Sequence, residues 1–405
     1  EVAAAHGGMM VGLAGLVVFA YDRAASAMLY ATGQAIHFGL YFRGTDGRAL
    51  LIHDPMERDQ AAAVGCEIVG FPKRGVPQLL EEEGTPARGY GRLIGETCAS
   101  LGIRGTIGFF GDLPAGFAHV LFARAREVNP GLRADDSMPD LLASARLTKD
   151  DDEVESIRRA SRGTVAAMES VRRYLGELRA DGDAFRHDGK GGATLGDIRR
   201  LIQRTFIEHG VAEDGASIVS QGRDAGVPHN HGNDADLLRA GTPILIDIFP
   251  AEPGGYHSDM TRTFCIGRAP AALREVYDDV RRAFDGAMES LTAGSSCREH
   301  QELVCGIFEA RGHDTVRSKP GTEEGYVHGL GHGVGLAVHE APRLGGPPSN
   351  TSSIEPRMVI TVEPGLYYPL RGLGARIEDL VCVRPDGAIE DLTPCSYELE
   401  VMPCG

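Results

Sequence analysis

The feature that most constrains this fold is a carboxylate in the middle of an apolar run. Residues 243–264 read PILIDIFPAEPGGYHSDMTRTF, in which two β-rich runs flank a Pro-Gly-Gly turn, and this pattern predicts a β-hairpin. Asp247 interrupts LIDIF, where burying a carboxylate is costly unless it is paired, hydrogen-bonded or bound to a metal. Asp259 lies on the second run. An even separation about a turn centred on Pro253 predicts that the two acids lie opposite each other on one face, about 5 Å apart.

A second pair of acids repeats this arrangement near the end of the chain. Glu363 and Glu378 each follow an apolar run, in MVITVEPGLYY and GARIEDLVCV, and a turn around residues 370–374 would bring the two strands together. Four carboxylates in one site repel one another, and divalent cations are their natural neutraliser. The sequence therefore predicts a metal site, with a charge that fits two ions better than one.

The alternative is that each acid is neutralised separately by its own arginine. Arg262 and Arg376 stand close in sequence to Asp259 and Glu378, and buried carboxylates are usually paired. For any single acid this alternative is as good as the metal site. Four acids together, with histidines nearby, favour the metal.

Three histidines occur in the glycine-rich segment VHGLGHGVGLAVHEAP, residues 327–342. His328, His332 and His339 would share one side of an ideal helix, but the glycines argue against a helix. An extended segment would let the backbone approach the acids closely and let different imidazoles face different parts of the cluster. For each histidine taken singly, a structural polar role is the commoner one.

The rest of the chain predicts two domains, since 405 residues can bury two cores. From residue 11 to about 145, short apolar runs (LVVFA, SAMLYAT, ALLIHD, GTIGFFG, HVLFARA) alternate with charged segments, which is an α/β pattern. An amphipathic helix with an acidic start follows residue 150, so the boundary is placed there, giving domains 1–150 and 151–405. Further helices are predicted over 197–210, 269–291 and 297–312, the first with a capping box from Thr194 and Asp197.

Composition excludes several partners. The net charge is −16 without a cluster of Lys and Arg, which disfavours nucleic acid and anionic membranes. The apolar run at residues 9–20 is too short to span a bilayer and predicts a buried strand. Eight scattered cysteines without a C-x-x-C pair predict reduced thiols, and with them a cytoplasmic protein.

Five motifs in order give the chain a family resemblance. VPHNHG, LIDIFP with SDMTRTF, HGLGHGVGLAVHE, TVEPGLY and GARIEDLV resemble the pita-bread metallopeptidases (family M24), which include methionine aminopeptidase, aminopeptidase P and prolidase. The resemblance covers residues 150–405. Residues 1–150 resemble the family's creatinase-type N-terminal domain in size and α/β pattern, which brings the chain closest to prolidase, aminopeptidase P and creatinase. The implied fold is α+β, a pita-bread catalytic domain preceded by a smaller α/β domain.

The resemblance also implies roles for individual residues. It implies two divalent ions, a hydroxide bridging them as the nucleophile, and ligation by Asp247, Asp259, His332, Glu363 and Glu378. Asp259 and Glu378 would bridge the ions, and Glu363 would also shuttle the proton. An oxygen-rich set with one imidazole favours Mn²⁺, with Co²⁺, Fe²⁺ and Zn²⁺ as alternatives.

The histidines outside the ligand set match substrate-contacting positions. His328 and His339 match residues that contact substrate and steady the tetrahedral intermediate. The remaining family histidine is assigned to His229, which follows a proline as in the family pattern, and His231 is the alternative.

The resemblance implies hydrolysis of the Xaa-Pro bond in dipeptides by a homodimer. Arg371 and Arg376 are candidates to clamp the dipeptide carboxylate, because a guanidinium matches it bidentately. The alternative for Arg376 is support of a metal-site carboxylate. Alternative functions are an aminopeptidase P acting on longer peptides, a metal-dependent lyase or hydrolase of a small non-peptide substrate, and a non-catalytic binding protein.

Overall fold

The computed structural model describes residues 12–22, 26–134, 141–181, 184–187, 192–213 and 217–404. Contacts divide the chain into two compact units, Glu1–Ala145 and Arg146–Gly405, and each is described by itself. The first three residues of the apolar run at 9–20, which was predicted as a buried strand, lie outside the described residues. Its remainder forms a buried strand from Gly15 to Ala20.

The first unit is built on a mixed six-stranded sheet. Its strands are β1 (Gly15–Ala20), β2 (Gly39–Gly44), β3 (Ala49–His53), β4 (Glu67–Gly70), β5 (Gly105–Phe110) and β6 (Leu132–Ala134). They lie in the order β4-β3-β2-β1-β5-β6, with β1 antiparallel to β2 and parallel to β5. The helices are α1 (Ser26–Thr32), α2 (Arg58–Ala62), α3 (Phe71–Arg74), α4 (Val76–Glu83), α5 (Pro86–Ser100), α6 (Ala115–Val128) and α7 (Leu141–Ala145).

Alternate residues of β1 bury opposite faces of this sheet, which is why the run is apolar throughout. Val17 and Phe19 pack with Leu93 of α5, whereas Val18 packs with Met28 of α1. The α/β pattern is thereby confirmed. Two of the apolar runs, SAMLYAT and HVLFARA, lie in helices α1 and α6 and not in strands, because short apolar runs do not distinguish a strand from a buried helix face.

In the part of the second unit that the structure describes, there are two larger sheets, two hairpins and four α-helices. The strands are β7 (Arg179–Asp181), β8 (Ala184–Arg186), β9 (Ile218–Gln221), β10 (Ile244–Ile248), β11 (Met260–Ile266), β12 (Gly331–Gly333), β13 (Glu340–Leu344), β14 (Val359–Val362), β15 (Gly365–Tyr368), β16 (Leu373–Arg376), β17 (Asp379–Val383), β18 (Ile389–Asp391) and β19 (Glu400–Val401). The sheets have the orders β19-β11-β10-β9 and β13-β12-β14-β17-β18, and the pairs β15-β16 and β7-β8 are hairpins.

The helices of this unit are α8 (Asp151–Glu177), α9 (Leu195–Glu208), α10 (Ala271–Ser290) and α11 (Cys297–Ala310), which confirms the predicted helices. Capping boxes begin α8 and α9: Asp150 and Glu153 in the first, Thr194 and Asp197 in the second, each satisfying two backbone N–H groups that a helix start leaves open. None of the helices in the described ranges has the length and apolarity that a membrane crossing needs.

The sheet that contains β10 and β11 has two different faces. Ile244, Ile246 and Ile248 pack into a core that includes residues of α8 and α9. Because side chains alternate along a strand, Leu245 and Asp247 point to the other face. The apolar run is thus buried on both sides, and the carboxylate within it is aimed at the interior of the unit.

Candidate metal centre

The hairpin that carries the first two acids has a different register from the predicted one. Asp247 pairs with Thr261, and the strands β10 and β11 are antiparallel as predicted. Asp259 lies two residues further back, just before β11, so it shares the face of Asp247 but is not directly opposite to it. The predicted symmetry about Pro253 was wrong, because the connecting loop does not divide evenly between the strands.

The second pair of acids follows two strands that pair directly. Strands β14 and β17 are antiparallel, with Val362 opposite Asp379, so continuing the register by one residue sets Glu363 opposite Glu378. The predicted turn between them is confirmed by the hairpin β15-β16. A backbone hydrogen bond of 3.1 Å from the N–H of Glu378 to the carbonyl of Thr261 joins this pair to the first hairpin.

His332 lies in the short strand β12 and points its free nitrogen at two of the acids. Its Nδ1 donates to the carbonyl of Gly333 at 3.1 Å, which leaves the lone pair on Nε2. Nε2 lies 3.4 Å from a carboxylate oxygen of Glu363 and 3.7 Å from one of Asp259. Gly331, next to His332, is required by close approach, since a Cβ there would lie 2.1 Å from a backbone carbonyl oxygen.

The donor set fits divalent metal ions. Ligand atoms of Asp259, His332 and Glu378 all lie within 4.8 Å of one another, and the three side chains are buried. Oδ1 of Asp247 is buried without a hydrogen-bond partner among the described residues. A buried acceptor without a donor is costly, and a cation would satisfy it. Oxygen ligands with one imidazole suit Mn²⁺ and similar ions.

The electrostatics of the acids agree with this fit. Burial, and then the neighbouring Glu378 carboxylate, raise the pKa values of Asp259 and Glu363 well above their usual range. Burial, and then Asp247, raise the pKa of Glu378 to about 8. The ionised carboxylates of this cluster repel one another, and a bound cation would relieve that repulsion.

Arg376 is a buried arginine that donates hydrogen bonds to groups of the carboxylate cluster. It is 3% exposed, and its guanidinium donates to Oδ2 of Asp247, to the hydroxyl of Thr261 at 3.0 Å and to the hydroxyl of Tyr367 at 2.9 Å. Thr261 in turn donates to Glu378 at 2.6 Å. Of the two interpretations of Arg376, this geometry favours support of a metal-site carboxylate over a substrate clamp, since the guanidinium is already used and is not accessible.

The other two candidate arginines, Arg262 as a partner of Asp259 and Arg371 as a clamp, lie away from the acids. Arg262 points to the opposite face of its strand, where it pairs with the buried Asp379 at 2.7 Å. Arg371 is exposed, and its guanidinium lies 5.0 Å from the centre of the Tyr368 ring. Separate neutralisation by Arg therefore applies to Asp247, through Arg376, but not to Asp259 through Arg262.

His328 and His339 lie on either side of His332. Nδ1 of His328 donates to the carbonyl of Gly329 at 2.7 Å, and Nε2 lies 2.9 Å from the hydroxyl of Tyr367. Burial lowers the pKa of His328 to about 4. His339 is exposed, and its ring meets the ring of His332 edge to face at 4.4 Å between centres.

Of the two upstream histidines, His229 is the one whose electrostatic effect reaches the other histidines of the site. Its charge contributes to lowering the pKa values of both His328 and His339, after the larger effect of burial. His229 and His231 are both exposed, and the carbonyl of His231 accepts a hydrogen bond of 2.7 Å from Arg199. This placement supports His229 as the histidine that completes the site.

Sequence reasoning missed Arg343. It pairs with His332 across strands β12 and β13, so the two side chains share one face, and it is exposed. After burial, its charge is the largest contribution to lowering the pKa of His339. The signal was the position of Arg343 four residues after His339, in HEAPRL, but only the pairing of the two strands brings it to the site.

The site brings together four buried or half-buried carboxylates and one imidazole from five strands or strand ends. This arrangement defines a candidate dinuclear metal protein. Residues 155–385 match metallopeptidase family M24, which is more than half of the chain. The chain therefore belongs to metallopeptidase family M24, in agreement with the resemblance of its motifs.

Relatives and solved structures agree with this assignment. The probable dipeptidase PepE of Mycobacterium tuberculosis is 33% identical over 264 residues, 65% of this chain and 63% of the relative, so the chain spans less than two thirds of that relative. The Xaa-Pro dipeptidase of Pyrococcus furiosus is 29% identical, over 64% of this chain and 67% of the relative. The structure of the Xaa-Pro dipeptidase from Bacillus anthracis has a TM-score of 0.79 at 24% identity, covering 99% of this chain and 100% of that one. This last likeness shows the pita-bread fold with its N-terminal domain.

Proposed function

We propose that this protein is an Xaa-Pro dipeptidase, which hydrolyses the bond before proline in a dipeptide with two divalent metal ions, Mn²⁺ by preference. The observation that carries the proposal is the convergence of Asp259, His332 and Glu378 beside an unsatisfied buried oxygen of Asp247. The relatives named as dipeptidases support the choice of substrate. Residues 1–150 and 151–405 are proposed as the N-terminal and catalytic domains.

The proposed ligands are Asp247, Asp259, His332, Glu363 and Glu378. Two bound ions would polarise the substrate carbonyl and lower the pKa of a water so that it supplies hydroxide near neutral pH. Two hydrogen bonds support this role. Nδ1 of His332 donates to a backbone carbonyl, so Nε2 carries no hydrogen, and Oδ2 of Asp247 accepts from Arg376.

Glu363 is the proposed proton carrier. Its two carboxylate oxygens lie 3.4 Å from Nε2 of His332 and 4.0 Å from Nδ1 of His328, and its side chain is 17% exposed, so it reaches both the cluster and the open side of the site. Both nitrogens of His328 are already engaged, by Gly329 and Tyr367. We therefore assign to Glu363 the proton that the proline nitrogen must receive as the bond breaks, and to His328 a positioning role.

His339 and His229 complete the proposed substrate contacts. His339 is exposed beside His332, where an imidazole N–H can donate to the carbonyl oxygen as it gains negative charge. Proline offers no N–H, so a site for Xaa-Pro bonds has to recognise the substrate through its carbonyl, its amino end and, in a dipeptide, its carboxylate.

Arg343 is the group that favours a dipeptide over a longer peptide. Its guanidinium is exposed on the face that carries His332, and it is suited to bind a free carboxylate bidentately. A longer Xaa-Pro peptide has an amide at that position and gains nothing from the charge. Arg371, the clamp predicted from sequence, is the alternative.

The test compares three substrates after chelation and addition of Mn²⁺: Ala-Pro, Ala-Pro amide and Ala-Pro-Ala. We expect proline release from Ala-Pro to be fastest. R343M should raise KM for Ala-Pro by at least about tenfold and leave Ala-Pro amide unchanged, as expected for a lost charged hydrogen bond, while R371M serves as the matched arginine control. Preference for Ala-Pro-Ala would indicate an aminopeptidase P, and no cleavage of any of the three would refute the peptidase proposal.

Assembly and location remain predictions. We propose a homodimer in the cytoplasm, and light scattering on the purified protein tests the dimer.

A further inference from the structure

We propose that Lys149 and Arg146 are positioning residues for the reaction: both bind the carboxylate of Glu340, and through it they fix the loop that carries His339. The inference rests on the proposed function for its kinetic consequence. Its structural part, an ordered loop at residues 334–339, does not.

Glu340 is a buried anion held by two cations. Its side chain is 5% exposed. Arg146 donates to Oε1 of Glu340 through both Nε, at 3.0 Å, and Nη2, and Lys149 donates to Oε2 at 3.2 Å. The side chain of Lys149 is only 1% exposed. A lysine so completely buried loses a large hydration energy, which the pairing with Glu340 offsets, followed by a smaller attraction to Glu153.

The same carboxylate closes the loop between β12 and β13. Oε1 of Glu340 accepts the backbone N–H of Ala337 at 3.1 Å. The backbone of Gly335 passes directly beside it, since a Cβ on Gly335 would lie 2.5 Å from Oε2 of Glu340. Gly335 also donates to the carbonyl of Ala337 at 3.1 Å and accepts from His257 at 2.8 Å. The carboxylate of Glu340 therefore binds the backbone of this loop directly.

His339 directly precedes this carboxylate. His339 is the last residue of the bent segment before β13, which begins at Glu340, so a fixed Glu340 also holds the adjoining backbone of His339, whose ring meets that of His332. His339 makes no hydrogen bond of its own among the contacts found in the described residues. Its placement then depends on the loop, and the loop depends on Glu340.

The backbone of Lys149 is held by the start of helix α8 and by a hydrogen bond to Arg357. Lys149 immediately precedes Asp150, the N-cap of the 27-residue helix α8. Its backbone N–H donates to the carbonyl of Arg357 at 2.8 Å. Val154 and Ile157, in the first turns of α8, pack in one cluster with Val334 at the start of the loop. This apolar packing would hold α8 against the loop without any charge. The buried ion pairs therefore serve mainly to orient the Glu340 carboxylate and contribute less to the stability of the fold.

Hydrogen exchange on the metal-free protein tests the structural part. We expect K149M to speed amide exchange in peptides that cover residues 334–340 by at least about tenfold, because the carboxylate that accepts the Ala337 N–H loses one of its two anchors. E340Q, which removes the charge but keeps the shape, should do the same if K149M folds poorly. The control is R158M, which removes an arginine bound to Glu390 at 2.8 Å and 3.1 Å, outside this loop. Unchanged exchange in both K149M and E340Q would overturn the proposal.

Kinetics on Ala-Pro test the positioning part. K149M should lower kcat by about tenfold to about 100-fold with KM nearly unchanged, since a misplaced group of this kind acts on the transition state. In the H339A background, K149M should cause little further loss of kcat, because the group that it positions is gone. Equal losses in both backgrounds would show that Lys149 acts only on stability or metal retention and would overturn the positioning role.

The two failures are distinguishable. A wild-type protein that releases no proline from Ala-Pro contradicts the proposed function, and the exchange experiment still decides whether Lys149 orders the loop. A protein that cleaves Ala-Pro with K149M as active as R158M retains its proposed function and loses this inference.

Discussion

Replacement of Arg376 by methionine distinguishes support of the metal centre from a substrate clamp. R376M removes the charge and the hydrogen-bond donors of the side chain and keeps an unbranched apolar stem. In the structure, the guanidinium donates to Oδ2 of Asp247 and to the hydroxyl of Thr261. That hydroxyl in turn donates to Glu378. The substitution therefore leaves Asp247 as a buried carboxylate without its cation.

The structure sets the size of the effect. Removing one partner of a buried ion pair costs about 3–5 kcal/mol. We take the lower end, about 3 kcal/mol, because Asp247 can bind a proton once the guanidinium is gone. For a unit of this size each kcal/mol corresponds to roughly 2–4 °C in Tm. The metal-free R376M protein should melt roughly 6 °C or more below the wild type.

The assay is a thermal melt in chelator, so that bound ions do not neutralise Asp247 in place of arginine. R158M is the control, because the pair of Arg158 with Glu390 is about a third exposed on both sides and should contribute at most about 1 kcal/mol. If R376M melts no lower than R158M and instead raises KM for Ala-Pro, Arg376 is a clamp and the reasoning from its burial is wrong.

Three further predictions follow from the site and its surroundings. Mn²⁺ at about 100 times its Kd should stabilise the chelated protein by about 2.7 kcal/mol, raising Tm by roughly 5 °C, and E378Q should abolish that rise; an equal rise in E378Q would contradict its place as a ligand. Burial, and then Asp379, raise the pKa of Asp391 to about 7, so the folded protein holds this proton more tightly than the unfolded chain, and the stability from it is complete below pH about 4 and lost as pH rises through 7. D391N, which retains the oxygen that accepts from Thr393, should therefore melt above the wild type at pH 8 but not at pH 4, and equal curves at both values would refute the shift. H229A should lower kcat/KM for Ala-Pro by at least about tenfold and H231A by less than about twofold; the reverse order would exchange their roles.

The positions of the acids along the chain were predictable because each one breaks an apolar pattern at a cost. Asp247 in LIDIF and Glu378 after GARI could only be buried with compensation, and the two hairpins that join their strands are signalled by Pro and Gly. The register was not predictable. The residues between β10 and β11 form a loop of their own, and its path decides whether Asp259 or Thr261 stands opposite Asp247.

Contacts between distant parts of the chain were also outside the reach of local patterns. Arg376 reaches Asp247 across 129 positions of sequence, and Lys149 reaches Glu340 across 191. Nothing near Arg376 shows that it lies inside the unit and Arg371 outside it, because both flank the same turn. Such pairs are determined by the packing of the two sheets, which composition and periodicity do not specify.

The most direct test of the two-metal peptidase is a titration of the chelated protein with Mn²⁺ while release of proline from Ala-Pro is measured. We expect no release without metal and a rise that levels off near two equivalents of Mn²⁺ per chain, as in sites where two ions share the reaction. Release that is unchanged by chelation, or no release at any Mn²⁺ concentration, would contradict this expectation.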